Sequence, residues 1–523
     1  MSLQKALFAG ASLFALAGAA HAQDVVTTTK SSPTQDPRDA RIQALEESLA
    51  AIQDQLADLK AGAAADVAEV RRVQSEAPIV DLKNGRPTFA TADGNFKVSI
   101  RGLFQADAAS YLQDSAGAVD NRRAGNSAAD GPAAQDLSSG FNFRRARIGL
   151  EGTVYKDWNW ALTYEAGGSG TESSQLQQAW VEYAGLKFGD TAIRLRGGAY
   201  AWITGLEDAT NNTDSLFLER PAPAELVRGL AGGDGRSGVG VYANGERWNA
   251  SAVWTGSLIG NNTTTTPVFD EQSGYLLRAD GLLLKSQDLA LHVGANLSSI
   301  VNPEDTTVPG AAAATRVRLR ERPELRVDGA RLVDTGNINA SSLTAYGAEL
   351  GLGYKNFLVS GEYFQIDVNR TGSTASDPKF DGWYAQASWV LTGEQRKWNP
   401  VTGGFGGVKP EKNFGKGGLG AWEVAARYST LNLNDNAGAD GTSTPSGGIR
   451  GGKQDIISAG LNWYPNSVVR FLLDYQYVDV DRLSRGGTQF GDATTDPVGV
   501  TPAAGTQIGQ DYSVISLRTQ VAF

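Results

Sequence analysis

The 523-residue sequence contains no cysteine, one methionine and only two histidines, His21 and His292. Without cysteine there is neither a disulfide framework nor a thiolate metal site. Two isolated histidines offer little for metal or acid–base chemistry. No serine–histidine–aspartate arrangement and no phosphate-cradling P-loop can be read, so no cofactor, metal or catalytic residue is expected and the chain does not read as an enzyme. Beyond the N-terminus no stretch approaches the ~18 apolar residues of a membrane-spanning helix. That leaves open a chain that crosses with strands, whose hydropathy signal is weaker. A net charge of −10 argues against a nucleic-acid partner.

What the sequence does contain is ordered in four parts. Lys5, the apolar run over residues 6–20 and the A-x-A pattern Ala20-His21-Ala22 read as a secretory signal peptide, residues 1–22, cleaved before Gln23. Residues 23–37, rich in Thr, Ser and Pro, read as a flexible leader. Over residues 38–77, Ile42, Leu45, Leu49, Ile52, Leu56 and Leu59 alternate three-four spacing, which predicts a short coiled-coil helix and linker ending before Pro78. About three heptads are marginal alone. The segment therefore needs a partner copy, an envelope tether or the parent domain to pack against.

Residues 78–523 change to period two. Phe96, Val98, Ile100 and Phe104 oppose Ser99, Arg101, Gln105 and Asp107, and Val469, Phe471, Leu473, Tyr475 and Tyr477 oppose Arg470, Asp474 and Gln476. Segments of roughly ten residues suit tilted strands crossing a bilayer. Tight turns at Lys156-Asp157, Asn244-Gly245, Lys355-Asn356 and Pro465-Asn466 alternate with long polar loops, as in an outer-membrane barrel. Trp158, Trp160, Trp463, Tyr464, Tyr475 and Tyr477 sit at segment ends, where interfacial girdles form against lipid. The fold class is all-β, a transmembrane antiparallel β-barrel of about 16 strands, wide enough to enclose water. The final strand ends on Phe523, which resembles the signal read by the bacterial barrel-assembly machinery.

One connection breaks the length rule. Residues 391–418, opening LTGEQRKW, fall where a short turn is expected, and an inward-folding segment is the functional reading. The other singular stretch is TRVRLRERPELRV, residues 315–327. Arg316, Arg318, Arg320 and Arg322 recur at every second position, with Arg326 four residues on. In an extended chain they share a face, and a row of guanidinium groups must meet water or anions.

FRRARIGLEGTVYKDW, LQQAWVEY, GLE followed by FLER, RPELRVDG, LTGEQRKW and GAWEVAARYS occur in an order similar to that of the phosphate-selective porin O and P family. The resemblance covers about residues 89–523. It implies a homotrimer of sixteen-stranded outer-membrane barrels, each pore narrowed by inward-folded loops and lined by an arginine ladder. By position the ladder corresponds to Arg318, Arg320, Arg322 and Arg326, and a pair on the second strand to Arg144 and Arg145. Strand alternation supports the lumen for Arg145 and Arg147 more than for Arg144. The expected solutes are small anions, phosphate or oligophosphate favoured. Two departures bear on this: Leu206-Glu207-Asp208 stands where phosphate-selective members carry a lysine, and Arg147 stands where an aromatic is expected. A weakly selective general porin, with the arginines balanced by Glu151, Glu165, Glu349 and Glu423, is the alternative.

Overall fold

The computed structural model describes residues 36–82, 85–113, 137–168, 175–259, 270–305, 315–486 and 504–523. The expected signal peptide and nearly all of the leader lie outside these residues.

Helix α1 (Pro37–Glu76) is continuous for 40 residues and passes through the alanine-rich stretch without a break. Pro78 cannot continue a helix, and the chain turns extended there. All six seam residues, Ile42 to Leu59, are exposed along the single helix.

The second unit begins at Glu76. Its sixteen long strands are β1 (Phe96–Leu112), β2 (Gly140–Val154), β3 (Trp158–Glu165), β4 (Gln175–Phe188), β5 (Thr191–Trp202), β6 (Gly233–Asn244), β7 (Trp248–Leu258) and β8 (Ser273–Lys285) in the first half. The second half is β9 (Leu289–Asn302), β10 (Ile338–Tyr354), β11 (Phe357–Arg370), β12 (Lys379–Val390), β13 (Ala421–Asp435), β14 (Ile449–Tyr464), β15 (Val469–Asp481) and β16 (Gln510–Ala522). Each pairs antiparallel with its neighbours in sequence, and β16 returns to β1 with Ile515 opposite Ser110, so the sheet closes and has no edge. Phe523 completes the seam by exchanging two 3.0 Å backbone hydrogen bonds with Gly102. A Cβ at position 102 would run into the Phe523 ring, which makes glycine a steric requirement there.

Alternation in the strands is inverted relative to a soluble protein. In β15, Arg470, Asp474 and Gln476 are buried, while Leu473, Tyr475 and Tyr477 are exposed. Polar residues line the inside and apolar residues face outward, as lipid requires. Trp463 stacks with Trp422 at 5.5 Å and Phe471 at 5.4 Å, Phe357 with Trp389 at 5.5 Å, and Trp158 meets Tyr183 at 4.9 Å. These rings form an outer belt at the short-turn end. Tyr464 is the exception to the expected girdle. It follows the lumen parity of β14, is buried, and donates its hydroxyl to Glu423 at 2.7 Å.

Among the described residues, three connections fold into the barrel. The β5–β6 loop carries helices α2 (Leu206–Ala209) and α3 (Ala222–Ala231). The β9–β10 loop packs Val317, Leu319, Leu325, Leu332 and Val333 against inward-facing Ile456, Val478 and Val480. Burying each such side chain contributes about 1.5–3 kcal/mol, enough to hold an irregular loop on a wall. The β12–β13 connection enters from the short-turn end. Its Arg396 is buried against Glu423 at 2.7 Å, and Trp398 donates to His292 Nδ1 at 3.1 Å. Arg278 of β8 donates to the carbonyls of Thr402 and Gly403, at 2.6 and 3.0 Å.

Candidate pore constriction

The β5–β6 loop folds across the inside of the barrel, and a carboxylate gathers the cations around it. Glu219 is buried and receives Arg144 Nε at 2.7 Å and Arg518 Nη2 at 2.8 Å, with Arg326 Nε at 3.6 Å and Arg145 Nη2 at 3.9 Å. Arg427 donates to the Glu219 carbonyl at 3.1 Å. Burial alone would push the Glu219 carboxyl up, but Arg144, Arg145, Arg518 and Arg326 outweigh it and hold it well below the usual carboxylate range. Arg518 is also bonded to Asp107, at 2.6 and 2.7 Å.

A β-bulge explains why two consecutive arginines reach the same side. Gln105 of β1 faces Arg145 and Ala106 faces Phe143, so Arg144 is the extra residue of β2. Both Arg144 and Arg145 are thereby buried towards the lumen, where alternation alone would admit one. Arg147 keeps the parity of Arg145 and binds Glu165 and, at 2.8 Å, Asp234.

The arginine row divides. Val317 and Leu319 anchor one face of the β9–β10 loop, and Arg316, Arg318 and Arg320 occupy the opposite, exposed face. Arg318 is paired with Asp334, whose carboxyl this contact holds low against the opposing effect of burial. Alternation then ends. Glu321 and Arg322 are both buried, Pro323 follows, and Glu324 takes a left-handed φ of 62°. Glu324 accepts from Ser429 at 2.6 Å and Gln476 at 3.2 Å, and pairs with Arg427. This pin turns the loop inward and delivers Arg326 to Glu219 and, at 2.6 Å, to Glu225. The extended row thus holds for Arg316, Arg318 and Arg320 but not for Arg322 and Arg326, because proline and the Glu324 contacts override it.

The family model for phosphate-selective porin O and P matches residues 121–496. The chain belongs to this family. Porin O of Pseudomonas aeruginosa is 27% identical over 433 residues, covering 80% of this chain and 91% of that protein. An uncharacterized protein of Caulobacter vibrioides is 27% identical over 423 residues, covering 77% and 73%. Among solved structures, trimeric OmpT of Vibrio cholerae aligns with a TM-score of 0.45 at 12% identity, covering 82% of this chain and 99% of that one. The anion-selective porin from Comamonas acidovorans gives 0.41 at 13%, covering 82% and 100%. The protein is an outer-membrane porin, a channel rather than an enzyme.

In this porin the acid at the expected lysine position is neutralised. Asp208 receives Arg228 Nε at 2.7 Å and lies 3.3 Å from Arg220, while Glu207 accepts from Gln386 at 2.8 Å. Glu225, on α3, is pushed up by burial yet held at about 2 by Arg228, Arg326 and Arg220. On the short-turn side of the β5–β6 loop lies a cavity of about 440 Å³. Its lining carries six arginines, Arg86, Arg101, Arg147, Arg220, Arg228 and Arg470, against three aspartates, so the porin wall is cationic there. Of these only Arg147 was expected from sequence. The others stand alone in the chain, although lumen parity marks Arg101 and Arg470.

Proposed function

We propose that this porin conducts small anions, phosphate among them, along a track of arginines running from Arg316, Arg318, Arg320 and Arg322 through Arg326, Arg144 and Arg145 to Arg147. The observation that carries the reading is Glu219, a single carboxylate approached by four guanidinium groups. The excess positive charge sits against a loop folded into the lumen, and Arg145 keeps a buried Nε–H without a hydrogen-bond partner. Guanidinium donors replace part of an anion's hydration shell and fit phosphate oxygens in pairs. Spread along a path, they pass the ion between weak sites rather than trapping it. Phosphate titrated against chloride in planar bilayers tests this: chloride conductance falls as phosphate occupies the track. A chloride current indifferent to phosphate would overturn the phosphate assignment.

The general-porin alternative draws on pairing. Glu151 binds Arg101, Glu165 binds Arg147, Glu349 binds Arg278 and Glu423 binds Arg396, so many lumen charges cancel locally. Anion preference survives on this reading only where arginines outnumber acids, at Glu219 and in the cavity. Self-association as a homotrimer is supported by the exposed seam of α1, which also suits a tether to another envelope component. Recognition by the assembly machinery through Phe523 is part of the same proposal, and crosslinking of wild type against a variant lacking residues 38–60 tests the seam.

A further inference from the structure

Besides its arginines, the cavity has lining that an inorganic anion does not need. A second β-bulge builds it. Thr163 of β3 faces Gln178 and Tyr164 faces Leu176, so Gln177 is the extra residue of β4, and Gln177 and Gln178 both line the cavity. Gln177 is only 2% exposed and lines the cavity beside Gln178, whose Oε1 accepts from Trp180 Nε1 at 3.2 Å. Side-chain amides on a water-accessible wall exchange water for a solute hydroxyl at little cost, so these two glutamines offer hydrogen bonds to a hydroxylated solute. Beside them stand Trp180 and Tyr200, whose rings meet edge to face at 5.7 Å and whose orientation is fixed by Arg196, 4.2 and 4.1 Å from the two centroids. Arg147 and Arg220 close the same cavity, and Arg220 keeps a buried Nε–H without a partner.

We infer that this cavity is a subsite for phosphorylated sugars or polyols, whose phosphate meets Arg147 and Arg220 while the hydroxylated carbon skeleton lies against Gln177, Gln178, Trp180 and Tyr200. The inference rests on the anion reading above and specifies its substrate class. An amide supplies both a donor and an acceptor, which a hydroxyl matches and a bare anion does not. Aromatic faces cover the C–H surface of a sugar ring. A cavity of about 440 Å³ lies within the usual range for small-molecule sites.

The test is block of chloride current through the full-length porin in planar bilayers by inorganic phosphate, a hexose phosphate and the neutral hexose. Hexose phosphate is expected to block at about tenfold lower concentration than phosphate, the ~1.4 kcal/mol of one or two extra hydrogen bonds. Gln177→Leu, which keeps side-chain bulk, is expected to remove that advantage and leave block by phosphate unchanged. Equal block by the two anions in the wild type would overturn the subsite while leaving the anion channel intact. Equal loss of both in Gln177→Leu would also overturn it, since a wall residue should not touch phosphate binding. A cation-selective wild-type channel would instead bring down the anion reading beneath it. The wild-type solute series decides the matter even where the variant does not assemble.

Discussion

The mouth and the constriction of this porin use the same side chain in opposite ways. At the mouth, Arg316, Arg318 and Arg320 stand on the exposed face of an extended loop, Arg318 held there by Asp334. At the constriction, Arg144, Arg145, Arg326 and Arg518 are buried and converge on one carboxylate. Exposed charges are screened within ~8–10 Å, whereas buried ones act in a low dielectric. On the proposed reading, arginines at the mouth would gather anions from solution and those at the constriction would select among them, and the buried ones bear on stability as well.

The sharpest way to break this contrast is Glu219→Gln. Removing the shared carboxylate leaves guanidinium groups facing one another, and breaking a buried ion cluster costs about 3–5 kcal/mol. Denaturant unfolding of the purified porin should show the loss, together with a noisier channel as the β5–β6 loop detaches. Unchanged stability would mean that the arginines are held by something other than Glu219.

Glu324→Ala attacks the joint between the two regions. Loss of its bonds to Ser429, Gln476 and Arg427 is expected to cost about 1–3 kcal/mol and to free the β9–β10 loop, raising conductance. A channel of wild-type conductance and noise would show that the apolar anchors Val317 and Leu319 suffice.

Acidity separates the regions without mutation. The Glu219 and Glu225 carboxyls are depressed in the folded protein, Glu225 to about 2. Their stabilisation is therefore complete above the ordinary carboxylate pKa of ~4.3 and is lost as pH falls from there towards about 2. Glu321, beside the exposed row, is shifted the other way, pushed up by burial against the pull of Arg326. Lowering the pH from 8 to 5 should leave the constriction intact, and anion selectivity should hold or rise as Glu321 begins to protonate. Collapse of selectivity across that interval would contradict the assignment of Glu219 as a permanently charged pin.

Much of the barrel was legible because lipid outside and water inside impose a strict period of two. Phe96 to Asp107 and Val469 to Tyr477 fall on the faces their alternation requires, and a count of such segments from Phe96 to Phe523 matches the sixteen strands that close. The constriction was less legible. Arg144 departs from alternation because a one-residue bulge is invisible to it, and the same is true of Gln177. Arg518 and Glu219 lie 299 positions apart, and only barrel closure brings them to 2.8 Å. Tyr464 read as an interfacial aromatic because residue type was weighed above lumen parity. In sequence Asp208 reads as a loss of positive charge, because its neutralisation by Arg228 and Arg220 depends on how the β5–β6 loop folds.

On the reading proposed above, the lumen selects anions and does so mainly at the constriction. Zero-current potentials in a salt gradient test it most directly, on the wild type and on a variant with Arg316, Arg318 and Arg320 all changed to glutamine. An anion-signed potential is expected in both, reduced but not abolished in the variant, with stability nearly unchanged. A cation-signed potential in the wild type, or complete loss of anion preference in the mouth variant, would contradict it.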